Sequence, residues 1–565
     1  MTPSLEIGNG NWAVKSDSLL GYKEIDGEFF PREIGVTRAT TATRINEDGL
    51  VELTPYNLLT WSEEFNNVVW SKVNSTITVN LTTAPDGNLT ADSLMEDSST
   101  VLDHYIRNTT FGSFNNSLTY SIYLKENGRR YVQLATVTGQ GVFRPVFDLQ
   151  DGIYVGNVGT NTGATADIES VGDGWYRCIV MLPSNTTNLN QVTIILQNSA
   201  TYQVYTGDPT KGIYIWGAQL NEGTLKDYLP TTDRLDIARI DYSSGEGALL
   251  VEPQRTNLLT YSEQFDNADW SKISTTITEN TTTAPNGILT ADTMSVTSNT
   301  SRILNTVVYS SGTYTISVWM KTTSVITSGS MRFYLVVDGV SIIIPFTPTT
   351  EWQRFEYTFT ANTSITSIQF RGNTFVGDVA IWGAQLELGA YPTSYIPTTS
   401  ASVTRNADVV SMTNASAYIG QTEGTIFVDF ILKNPISATN RIISITESNW
   451  LSGGSIRLDV YSNQIAADFV NGGSSMGGIT YYSTILQNVR YKVAIAYKEN
   501  DCKMYINGID AGSDTSTSAM PTCSELHLNY LGGGFNAPYE ASNIKAVSLY
   551  KERLSNAELA TLTTI

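Results

Sequence analysis

Short runs in which apolar and polar residues alternate at every second position fill most of this chain. Tyr120 to Lys125 (YSIYLK), Gly174 to Leu182 (GWYRCIVML) and Ile316 to Lys321 (ISVWMK) are examples, and Asn, Asp, Gly and Pro clusters separate such runs. A period of two puts successive side chains on opposite faces of a strand, and the regular turn signals favour antiparallel pairing. The pattern predicts an all-β fold of tandem antiparallel β-sandwich (jelly-roll) modules on connectors. Helical periodicity is missing from the repeated part. LSNAELATL at the C-terminal end predicts one short helix, because Ser555 stands three residues before Glu558, the spacing of a capping box.

The modules follow from a duplication. NLLTWSEEFNN from Asn57 and NLLTYSEQFDN from Asn257 begin two copies, and Phe65, Trp70, Pro85, Gly87 and Asp92 recur as Phe265, Trp270, Pro285, Gly287 and Asp292. IYIWGAQLNEG, ending at Gly223, answers VAIWGAQLELG, ending at Gly389, and each copy closes on Pro-Thr-Thr. The predicted division is an N-terminal arm over 1–56, a first sandwich over 57–230, a connector over 231–256, a second sandwich over 257–398, a connector over 399–416 and a third sandwich over 417–565. In the last, eight strand-like runs occur, and Asn507-Gly508 reads as a tight hairpin turn. Residues 1–56 show no clear period, so they read either as a frayed tail or as an arm that orders on a partner through the apolar anchors Trp12, Phe29 and Phe30.

Charge narrows the partners. With 34 Lys+Arg against 54 Asp+Glu the formal net charge is -20, which repels phosphate backbones and anionic lipid, so neither a nucleic-acid nor a membrane-surface role is expected. The first residues lack a basic stretch followed by an apolar core, and no run approaches the ~20 apolar residues of a spanning helix. The expectation is synthesis in a cytoplasm without secretion or membrane insertion. Cys178, Cys502 and Cys523 suggest no disulfide framework, and the strand-like text around Cys502 and Cys523 reads as buried free thiols.

The string TRATTATRINEDGLVE, with WSK, APDG, LTAD, IWGAQLEL and YIPTTSASVTRNAD after it, resembles a module of bacteriophage virion proteins found in tail and head fibres, itself similar to jelly-roll carbohydrate-binding modules. The resemblance covers residues 37 to about 410 in two copies. The text YKVAIAYKENDCKMYINGIDAG, followed by NIKAVSLYKERLSNAELATL, resembles laminin-G-like or concanavalin-like lectin domains. Together these imply a place on a virion surface in head or tail, a homotrimer, attachment to other virion proteins through the N-terminal arm, and adhesion to host or environmental glycans. The rival expectation is a purely structural capsid or tail protein that binds only other virion proteins. A polysaccharide-degrading enzyme is the third.

No catalytic residue is expected. A Ser-His-Asp triad needs His104 or His527, and neither stands in a nucleophile motif. Trp70, Trp270, Trp216 and Trp382 read as core. Trp450, in the loop text SNWLSGG, and Tyr481 and Tyr482, after a Gly-rich stretch, are the candidate glycan contacts, since neighbouring strand residues face opposite ways. No cofactor is expected. Structural calcium through Glu63 and Glu263 is considered, because hard carboxylates suit it, but metal is left unassigned.

Overall fold

In each repeat the alternating runs become antiparallel strands whose inward residues meet between two sheets. The computed structural model describes residues 2–565 apart from 13, 16–17, 26–27, 39, 55–56, 115–116, 162, 184–185, 232–236, 324–328, 434–439, 449–452 and 530–541. Two compact units result, Pro55–Leu235 and the combination of Met1–Thr54 with Asp236–Ile565.

In the unit Pro55–Leu235, one sheet is ordered Ile153–Asn157, Pro145–Asp148, Tyr131–Thr138, Thr186–Gln197, His104–Phe114, Ser71–Val73. The other runs Thr165–Gly172, Trp175–Leu182, Leu118–Asn127, Gly212–Glu222, Ala91–Glu96, Ser75–Thr82. Leu124, Val180 and Ile215 from one sheet and Ile106, Val132 and Ile194 from the other share one core with Phe65 and Trp70.

The second copy repeats this order with five strands in each sheet. The strands Ile153–Asn157 and Thr165–Gly172 at the sheet edges belong to the first copy alone. They account for most of the narrowing offset, which is 200 between Trp70 and Trp270, 177 between Trp175 and Trp352 and 166 between Trp216 and Trp382.

Shared polar pegs explain the repeated text. Asn57 Nδ2 donates to the carbonyls of Ala218 and Leu229, and Asn257 Nδ2 donates to those of Ala384 and Ile396. Each ties the start of its sandwich to Trp-Gly-Ala-Gln-Leu and to the Pro-Thr-Thr closure. Asp92 accepts from the backbone of Phe65 and Asn80, and Asp292 from Phe265 and Asn280. The indoles of Trp70 and Trp270 donate to the carbonyls of Trp61 and Tyr261 at 2.9 and 3.0 Å. Those two residues hold left-handed φ values of 55° and 48°, a strain that the buried indole bonds offset.

The third sandwich departs from the expected division. Its strand Ser542–Tyr550 is buried along its whole length. One edge pairs with Glu423–Leu432, and the other with Leu5–Gly8 and Ala248–Val251. The hairpin Ser18–Ile25 and Glu28–Thr37 pairs through Val409–Met412 to Glu525–Leu528. The segment 1–56 is therefore no free arm. Leu5, Ile7, Leu19, Ile34 and Val36 are buried in one core with Ile426, Val428, Leu526 and Leu549. These strands pair with one another locally, but the core that buries them comes from residues hundreds of positions away. Strand pairing here also closes sheet edges that would otherwise present unpaired backbone groups.

Where the chain passes between the second and third sandwiches, five charges are buried together. Arg38 meets Asp408 at 2.6 Å, Arg239 bonds both Asp408 and Glu252, and Arg405 bonds Glu252. Ser394 donates through its backbone and hydroxyl to Glu252 at 2.8 and 2.7 Å, and Arg38 also donates to the Ile237 carbonyl. Burial opposes ionisation of both acids, yet Arg405 and Arg239 beside Glu252, and Arg239 and Arg38 beside Asp408, hold both below the usual carboxylate range.

The small elements follow their local text. Ser555 caps Asn556–Thr563 through a complete capping box. Asn507 and Gly508 take φ values of 50° and 78° between Cys502–Ile506 and Ile509–Asp514, and the three cysteines are buried free thiols.

Two stability predictions follow from these charges. Asp408→Asn leaves Arg38 and Arg239 short of a buried counter-charge, an expected loss of about 3–5 kcal/mol. Calorimetry should show the transition of the unit containing Asp236–Ile565 lowered and that of Pro55–Leu235 unchanged. The second concerns Asp92 and Asp292, whose carboxyls burial pushes up to about 6 against backbone hydrogen bonds that favour the charged form. Between about pH 4, the unfolded value, and pH 6 the folded protein holds more protons than the unfolded chain, so stability falls as pH rises through that window. Asp292→Asn should flatten this slope for the second copy, read as denaturation midpoint against pH.

Candidate functional site

Both copies build the same aromatic cluster from the same text. Gly217 and Gly383, at φ 62° and 66°, sit at a register shift opposite the central strand. A side chain there would press into Tyr123 or Trp319 at 2.9 Å, so the glycine lets Trp216 pack on Tyr123 and Trp382 on Trp319. Tyr228 and Tyr395 complete the clusters, with ring centroids 4.7 and 4.6 Å from Trp216 and Trp382. Arg177 lies over Tyr123 at 5.3 Å and Arg354 over Trp319 at 4.4 Å.

The hydroxyls of Tyr228 and Tyr395 share hydrogen bonds with Ser62 and Ser262 and donate to Glu63 and Glu263 at 3.1 and 2.9 Å. Burial, with the neighbouring glutamate, drives both phenols well above their ordinary range, so they stay protonated donors. Burial also raises Glu63, although the Tyr228 bond works the other way.

A cavity of about 250 Å³ opens beside the second cluster. Trp319, Arg354, Glu356 and Tyr395 come from the second sandwich, Arg44 from the hairpin Ala42–Ile45/Val51–Thr54, Asp241 and Ser243 from the connector, and Lys433, Gln487 and Asn488 from the third sandwich. Arg354 is fixed by donation to the Thr393 carbonyl at 2.7 Å and the Ser317 hydroxyl at 2.9 Å. Its buried Nε finds no acceptor among the described residues. Arg44 is held by Glu52 at 2.6 Å, and Lys433 donates to Ser243 at 3.1 Å. Burial raises the Glu356 carboxyl, opposed by Arg354, and burial lowers the Arg354 guanidinium. The walls thus offer donors, acceptors and one half-buried indole in a space smaller than the ~300–1,000 Å³ of drug-sized sites, fit for a single polar ring.

The residues singled out from sequence lie elsewhere. Trp12 is half-buried against the third core and donates its indole N–H to the Gly247 carbonyl at 2.9 Å, an internal bond. Phe29 and Phe30 pair by backbone with Glu24 and Lys23, and their side chains lie outside the described residues, as does Trp450. Tyr481 packs against the third core while Tyr482, next to it, is 74 % exposed, and neither lines the cavity. Trp70, Trp270, Trp216 and Trp382 are all buried.

Sequence reading missed Trp319, Arg354 and the cavity. Arg354 had a usable signal in its recurrence as Arg177, but the cavity draws on four separate stretches of chain. No group of three or more His, Cys, Asp or Glu able to hold a metal occurs among the described residues.

No family model matches the chain, and no curated protein matches it. Among solved structures it is similar to the CBM40 of the Ruminococcus gnavus IT-sialidase bound to α2,3-sialyllactose, at 15% identity over 26% of this chain and 84% of that one, TM-score 0.23. A carbohydrate-binding module is among its structural neighbours. It is also similar to the native heptameric SAP-like pentraxin from Limulus polyphemus, at 17% identity over 25% of this chain and 70% of that one, TM-score 0.20. The binding domain of Paraclostridial Mosquitocidal Protein 1 is 11% identical over 28% of this chain and 43% of that one, TM-score 0.21. No residue or ligand is carried over from these structures.

Proposed function

We propose that this is a non-enzymatic surface protein of a bacteriophage particle that binds a glycan ring in the cavity beside Trp319. The observation that carries the glycan reading is a polar cavity with an indole wall, in which Glu356, Lys433 and Asn488 stand beside Trp319. Sugars present both hydroxyls and apolar ring faces, so such a wall serves them through hydrogen bonds and stacking together.

The non-enzymatic reading is supported by the placement of both histidines. His104 is buried with Nδ1 on the Asn74 carbonyl at 2.8 Å. His527 is buried between Thr446 and Glu525, its pKa pushed down to about 4 by burial. The place on a virion rests on the resemblance of the repeated text, and so do trimer formation and association with other virion proteins.

A glycan array on the full-length protein tests the binding. A sugar that binds should lose about tenfold in affinity on Glu356→Gln and on Lys433→Ala, the scale of one charge-assisted hydrogen bond. Loss on Tyr482→Ala with those two unchanged would move the site to the outer face of the third sandwich. An array without signal would leave a purely structural particle component as the better reading.

A further inference from the structure

The twin clusters differ in what covers them. On the second copy the hairpin Ala42–Ile45/Val51–Thr54 lies across the aromatic face. Val51 is buried with Ala284, Ala291, Trp382 and Tyr395, its N–H donates to the Pro285 carbonyl at 3.0 Å, and Leu50 sits over Gly287. The first copy presents the matching Ala84, Ala91, Trp216 and Tyr228, joined by Trp175 and by Tyr214 where the second copy has Ala380, with no residue of either hairpin in the cluster. Its turn is bare. Gly87 has nothing within 4 Å, Asn88 is exposed where Ile288 is half-buried, and Pro85, Thr90 and Tyr228 are half-buried where Pro285, Thr290 and Tyr395 are buried.

We infer that the face of the first copy around Gly87 and Trp216 is a docking site for a β-hairpin of a different protein. The structure of the second copy supplies the mode: a strand N–H reaches the proline carbonyl, and the apolar residue before it covers the glycine. Among the described residues both hairpins of this kind, Ala42–Ile45/Val51–Thr54 and Ile240–Asp241/Ala248–Val251, are already docked inside the chain. A second copy of the chain therefore has none to lend.

The two docked hairpins share an ion pair between their arms, Arg44 with Glu52 across the strands of the first and Arg239 with Glu252 at the base of the second. The occupant is expected to carry that pair and a glycine turn followed by two aliphatic residues. Its tip should be polar or cationic, because Asp86 and Asn88 stand where the second copy has Asn286 and Ile288.

The test uses a synthetic peptide of residues 40–54 carrying Glu47→Lys and Asp48→Asn, so that its tip is not anionic opposite Asp86, closed by added terminal cysteines because an isolated hairpin is marginal in water, and titrated by anisotropy against the full-length protein. The expected result is saturable one-to-one binding, tightened at least fivefold by Asn88→Ile, which makes the face like that of the second copy. Gly87→Trp should abolish binding, while Gly287→Trp should leave the first-copy site intact. Absence of saturation with both the native chain and Asn88→Ile would overturn the inference. So would binding indifferent to both Gly87→Trp and Asn88→Ile, or a glycan signal that Gly87→Trp removes while no peptide binds.

Discussion

Three arginines and two carboxylates, almost wholly withdrawn from water, set the geometry of the larger unit. Arg38, Arg239 and Arg405 come from three separate passes of the chain, and Asp408 and Glu252 join them pairwise. Burying so many charges is unfavourable unless every one is paired, so the arrangement tolerates little slack in where the three passes run. It lies at the exits of the strands Glu28–Thr37 and Val403–Arg405 and at the two ends of the hairpin Ile240–Asp241/Ala248–Val251. Strand ends that would otherwise be loose linkers are thereby fixed, and the cavity beside Trp319 inherits its walls. Glu252 and Ser394 belong to both the network and the cavity lining.

Duplication followed by unequal covering is the second theme. The glycine in Trp-Gly-Ala-Gln-Leu, the tyrosine of the closing Tyr-x-Pro-Thr-Thr and the arginine after Trp175 or before Phe355 recur because they build one object twice. Packing then made the two objects different. Trp382 is 1% exposed beneath Val51, and its twin Trp216 is 5% exposed with half-buried tyrosines around it. Sequence drift follows that difference, since the covered turn carries Ile288 and the bare one carries Asn88.

Local features of the chain were legible wherever the cause was local. The capping box at Ser555, the turn at Asn507-Gly508 and the buried tryptophans each need only their neighbours in sequence or the period of one strand. The third sandwich was only half legible. Its own strands alternate clearly, but Leu5–Gly8 is four residues long and pairs with residues more than five hundred positions on. No periodicity signals such a partner, and reading 1–56 as an arm followed from that. Tyr481 and Tyr482 were placed on opposite sides of a strand by alternation alone, whereas whether either meets a ligand is not a property of their strand.

By itself, the sequence determined the all-β character of the chain, the twin sandwiches and the text that makes each aromatic cluster, because alternation, turn chemistry and repeated motifs act over a few residues. Only the tertiary structure decided which hairpin covers which cluster, how the five buried charges pair, and that a polar cavity opens beside Trp319. Those outcomes depend on segments that meet in space from distant positions, where desolvation and edge pairing select among partners that local pattern leaves equal.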